Sequence, residues 1–167
     1  APPPKERQMP QFDDPAFQRL AASLGEVTPT SPRSFDLVFD DNLCVTVSRH
    51  PRRPEVCVDV WCHDVSAYVG APRRALVDTL LLLNRTAQAG QPFRVGLDSR
   101  DFIVVHASQA MDRLEGGTFG AWLTWMLDQG RRVRELVRAI GFENGRLTYE
   151  LAAAPAAALA AAPTGDE

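Results

Sequence analysis

The 167-residue chain has only three cysteines, an odd number, which argues against a disulfide framework and for a reducing compartment. No apolar stretch approaches the ~18 residues of a membrane span, and the leucine run Leu80–Leu83 ends at Asn84 and Arg85. There is no excess of positive charge. Lys plus Arg is 18 and Asp plus Glu is 21, a formal net charge of −3, which makes nucleic acid or an anionic membrane surface a poor default partner. The first ten residues are proline-rich and polar, so no secretory signal is expected there. CxxC, HxxxH, GxSxG and Walker patterns are all missing, as is a glycine-rich phosphate loop after a strand. What is present is a globular composition, 45% hydrophobic and 23% charged, of a size that buries one core.

Proline and alanine mark the two ends. Pro2, Pro3, Pro4 and Pro10 predict an extended, flexible arm over residues 1–11, because proline lacks the N–H that helices and ladders need. Residues 150–167 are alanine-rich, interrupted by Pro155 and Pro163, and predict a flexible tail with too little apolar bulk to dock. The ordered domain is expected over residues 12–149.

Within it, Asp14, Pro15 and Gly25 suit the N-cap, first turn and C-cap of a first helix. Phe17, Leu20, Ala21 and Leu24 fall on one face of it. Three alternating strands follow, Ser34–Phe39, Leu43–Ser48 and Val56–Trp61, joined by the turns Asp40-Asp41-Asn42 and Pro51–Pro54. A second helix from about Pro72 to Gly90 carries Leu76, Val77, Leu80, Leu81, Leu82 and Leu83, more apolar surface than one stripe needs. A hairpin of Phe93–Leu97 and Asp101–Ala107 precedes a third helix, Thr118 to Ile140, with Gly141 as its C-cap. The expectation is an α+β fold: a five-stranded antiparallel sheet and three helices in the order α-β-β-β-α-β-β-α, with helices on one face.

Reactive side chains are sparse. Cys62, His63 and Asp64 adjoin, but neighbouring strand residues point to opposite faces, so the expectation is no metal site and no thiol catalysis. Cys44 and Cys57 read as buried small hydrophobes. Arg131, Arg132, Arg134 and Arg138 read as a solvated face matched to a helix C-terminus. Trp125 lies off the third helix's main stripe and needs a partner.

The element order, with FDLVFDDNLCVTVSRHP, ALVDTLLLLNRTAQAGQPFRVGLDSRDFIVVHAS and LEGGTFGAWLTWMLDQGRRVRELVRAI, resembles the class I type III secretion chaperones, the Tir chaperone family. The likeness covers about Phe12 to Ile140 and rests on elements and apolar positions rather than on an invariant motif. The resemblance implies a homodimer of the bacterial cytoplasm, with no enzymatic activity, no catalytic residues, no metal and no cofactor. It would bind the N-terminal region of one or more secreted effectors, keep it extended, and help deliver it to the secretion ATPase. Nucleic acid and membrane insertion have no place in that role. The rival is an adaptor or regulatory protein-binding module of another secretion or signalling system. A small enzyme built on His63 or His106 ranks behind both.

Two surfaces follow as expectations. The excess apolar coverage of the second helix nominates Leu76, Leu80, Leu81, Leu82 and Leu83 for the dimer interface, and the family likeness adds Val95 of the neighbouring strand. Apolar residues of the first helix and of the sheet, which helices cover on one face only, nominate Phe17, Leu20, Leu24, Leu37, Val38 and Val45 for partner binding.

Overall fold

The computed structural model describes residues 11–87, 93–115 and 117–142. The expected arm, apart from Gln11, and the expected tail at 150–167 lie outside them. The elements in chain order are α1 (Pro15–Ala22), β1 (Pro29–Ser31), β2 (Ser34–Val38), β3 (Cys44–Arg49), β4 (Glu55–Asp64), α2 (Ala71–Ala87), β5 (Arg94–Leu97) and β6 (Phe102–Ala110). A short 3-10 helix (Met111–Leu114) and α3 (Thr118–Phe142) complete the chain.

The strands form one antiparallel sheet in the order β1-β2-β3-β4-β6-β5. It has six strands among the described residues, not the expected five. The added one, β1, has three residues, and Pro29 and Pro32 hide it from any alternation pattern. Elsewhere the expected layering holds, because strand period and helix stripe agree. Phe35, Val45, Val47, Val56, Val58, Val60, Val95, Ile103 and Val105 share one face and are buried. Fully burying such a side chain contributes about 1.5–3 kcal/mol.

That face is covered by the helices. Asp14 caps α1, its Oδ1 accepting from Ala16 N at 2.8 Å and Phe17 N at 3.2 Å. Phe12, Phe17 and Phe35 then pack ring to ring at 5.2–6.0 Å. α3 crosses β4 at Gly130, where an added Cβ would collide with Val60 Cγ1.

Three expectations are corrected. Gly141 does not cap α3, which continues to Phe142; it leaves room for Tyr68, whose hydroxyl reaches over it to donate to Val137 O at 2.8 Å. Cys44 and Cys57 are half-buried on the helix-free face, because the core parity of their strands belongs to Val45, Val47, Val56 and Val58. Arg134 is only 8% exposed rather than solvated, since Asp41 of the β2–β3 turn bonds its Nη2 at 2.7 Å. Trp125 meets Phe93, at 5.6 Å between centroids.

Candidate partner-binding surfaces

The face of the sheet that no helix covers among the described residues is ordered in rows. Cross-strand register places Val38, Cys44, Trp61, Val104 and Gly96 side by side, and Asp36, Thr46, Asp59, His106 and Arg94 beside them. The first row is an apolar band. Trp61 packs edge-on against Phe102 at 6.0 Å, and the Arg100 guanidinium lies 4.9 Å over the indole. The second row is polar and internally bonded. Thr46 donates to Asp36 at 2.7 Å and accepts from Trp61 Nε1 at 3.0 Å, and His106 Nδ1 lies 2.6 Å from Asp59.

The histidines serve the fold. His50 Nδ1 accepts from the backbone N–H of Arg52 and Arg53 at 3.1 Å, His63 rests on Tyr68, and His106 pairs with Asp59. Among the described residues, none is hydrogen-bonded to a hydroxyl or thiol. Cys62 keeps the inward parity of Val56, Val58 and Val60, and burial pushes its thiol up to about 12; the bulge after Trp61 pairs His63 with Ile103 and leaves it half-exposed beside Tyr68. No group of three or more His, Cys, Asp or Glu that could hold a metal exists among the described residues.

The residues nominated for partner binding do not form one patch. Phe17, Leu20 and Val45 are buried in the protomer's own core, Leu24 and Leu37 are half-buried, and Val38 stands 74% exposed. Those nominated for a dimer interface divide the same way. Leu76, Leu80, Leu83 and Val95 point into the core, and Leu82 is half-buried. The outward strip of α2 is Val77, 42% exposed, and Leu81, 65% exposed, flanked by the exposed Arg74, Asp78 and Arg85. Val77 is apolar in the sequence but lies outside the residues expected at the dimer interface; its position three residues from Leu80 does not tell inner from outer stripe.

Two grooves border α1. One of about 610 Å3 lies between α1, the Pro54 turn and the 3-10 helix, with Leu20, Met111 and Leu114 on its walls. A wider one, about 1000 Å3, runs between α1 and the segment leading into β1, past Phe12, Ala21, Val27 and Pro29.

The fold is shared with chains of solved complexes. Over 76% of this chain and 97% of the other, it superposes on a chain of the ExsC–ExsE complex with a TM-score of 0.64 at 17% identity. A chain of the HopA1–SchA chaperone–effector complex matches with a TM-score of 0.56 at 16% identity, over 72% of this chain and 94% of that one. A chain of the complex of the Yersinia pestis type III secretion chaperone SycH with a stable fragment of YscM2 gives 0.48 at 13% identity, over 69% and 93%. The chain shares its fold with a chain of each of the first two complexes. No protein-family model and no curated protein matches the chain by sequence. The shared fold spans nearly the whole of each of these two neighbours. No helix among the described residues is long and apolar enough to cross a membrane.

Proposed function

We propose that the chain is a type III secretion chaperone of the Tir chaperone class. It works as a homodimer in the bacterial cytoplasm, with no reaction and no cofactor of its own. It binds the N-terminal region of one or more effectors, keeps that region extended and competent for secretion, and aids its delivery to the export apparatus and its ATPase. The observation that carries this reading is the fold shared with a chain of the chaperone–effector complex. The surface left open by that fold supports it. Val38 stands exposed at the sheet's rim, at the end of the apolar band through Trp61 and Val104. Val77 and Leu81 form a separate exposed strip on α2 that suits a two-fold contact with a second copy. One surface then serves cargo and the other self-association.

The test is co-expression of the full chain with the N-terminal region of the secreted protein encoded beside it. The expected result is a complex in which the effector segment stays protease-sensitive where it is not in contact and shows no globular fold. An effector that binds only through its folded C-terminal domain, or turnover of a small substrate abolished by His106→Ala, would overturn it.

A further inference from the structure

The two edges of the sheet are not equivalent. At one edge, Asp98 N–H donates to Phe102 O at 2.9 Å. Antiparallel parity then directs the backbone groups of Gly96 and Arg94 toward β6, and those of Val95 and Leu97 away from it. Such an outward row of N–H and C=O groups is a template for another strand. Asn84 of α2 sits in that row. Its Nδ2 donates to Val95 O at 2.6 Å, and its Oδ1 accepts from Val95 N at 3.0 Å. The carboxamide thus offers Val95 the same donor and acceptor that the peptide group of an added strand would offer. The Val95 side chain is buried, so the strand cannot turn away from it.

The other edge is open. Phe39 N–H donates to Leu43 O at 3.0 Å and Arg49 N–H to Arg33 O at 2.8 Å, so Phe35 and Leu37 bond to β3 while Asp36 and Val38 direct their backbone groups outward. β1 pairs only with Ser34 and Phe35. Among the described residues no strand lies beside Asp36–Val38.

We infer that Asn84 closes the β5 edge to strand addition, so that an extended segment pairs with the sheet only along Asp36–Val38 of β2. The first half stands on the hydrogen bonds alone. The second rests on the reading of the chain as a binder of extended segments. The side chains of Asp36 and Val38 share the uncovered face, so the segment that fits carries an apolar residue against Val38 and a basic one two positions away against Asp36.

Three measurements on the full chain test this. In the unmodified protein the Val95 amide should exchange about tenfold more slowly than the Leu97 amide, a ratio one good hydrogen bond supports. Equal rates would show the guard to be open. Asn84→Ala should self-associate with rising concentration in sedimentation, beyond whatever oligomer the unmodified chain forms. Adding Leu97→Pro, which deletes the other outward N–H, should reverse that. An Asn84→Ala chain with an unchanged mass distribution at every concentration would reduce Asn84 to a structural bond and overturn the first half. If Asn84→Ala does not fold, the exchange ratio in the unmodified chain decides. Finally, a short peptide of alternating valine and lysine should perturb the amides of Asp36–Val38 and leave Val95 unmoved. Perturbation at Val95 would overturn the closed edge. Binding at neither edge would overturn the extended-segment reading, while the Asn84→Ala comparison still judges the guard.

Discussion

His63 and His106 are pulled in opposite directions by their surroundings. The hydrogen bond that its ring N–H donates to Asp59 raises His106 above the usual 6.5, whereas burial, with Arg138 nearby, lowers His63 below it. A raised histidine stabilises the fold fully below pH 6.5 and loses that contribution as pH rises through its higher folded value. Proton titration by NMR should therefore find His106 above 6.5 and His63 below it. Asp59→Asn should drop His106 below 6.5, since the burial remains. A His106 that titrates at its ordinary value in the unmodified chain would contradict the pairing. Asp41 is the acidic counterpart. Hydrogen bonds from Arg134 and Arg131 hold its carboxyl at about 2. Its stabilisation is present above the ordinary 3.8 and is lost as pH falls toward 2. Asp41→Ala leaves the buried Arg134 without its carboxylate and should cost about 2 kcal/mol in urea unfolding at neutral pH, but little at pH 2. None of this pairing was legible in the sequence. Asp41 looks like any turn residue, and 93 positions separate it from Arg134.

At the scale of elements, the tightest join is between α3 and β4. Alanine is a better helix former than glycine by about 1 kcal/mol, so Gly130→Ala would stabilise an isolated helix. Here the new methyl meets Val60 Cγ1, and Val60 is wholly buried with nowhere to turn. Overpacking should win, for a net loss of about 2 kcal/mol. A double-mutant cycle with Val60→Ala should show the two substitutions rescuing each other; additive losses would place α3 farther from the sheet. Such close approaches cannot be read from one chain, whereas the elements themselves largely can. Alternation located β2, β3, β4 and β5, the hairpin pattern located β6 as the return strand, and caps located α1, because those signals are local. β1 carries no period because its three residues begin at Pro29 and are followed at once by Pro32. Gly141 was misread because its need for space comes from Tyr68, which the sequence places far away. In α2 the surplus of leucines was visible, but its division into an inner stripe of Leu76, Leu80 and Leu83 and an outer one of Val77 and Leu81 depends on where β5 and α3 lie.

For the molecule as a whole, exposure decides which substitutions report on binding and which only on folding. Leu20 is buried, so Leu20→Asp should unfold the protomer rather than weaken a partner's grip. Val38 and Leu81 are exposed, so a charge there leaves the protomer's core untouched. Val38→Asp should weaken the effector segment at least tenfold, about 1.4 kcal/mol, by placing a second carboxylate beside Asp36 on the open edge, with the oligomeric mass unchanged. Leu81→Asp should do the reverse. If two copies meet through α2, folding and association are coupled, and the melting temperature of the unmodified chain rises with protein concentration. Two copies of Leu81→Asp would bring two carboxylates together at the two-fold axis, with Asp78 close by on the same helix face. Light scattering should then give the monomer mass, and the melting temperature should no longer depend on concentration, while the far-ultraviolet spectrum keeps its α+β shape. A monomeric unmodified chain with a concentration-independent melting temperature would remove the homodimer and leave Val77 and Leu81 as part of the cargo surface. Effector binding would then fall with Leu81→Asp as well as with Val38→Asp, which a chain with separate surfaces does not do.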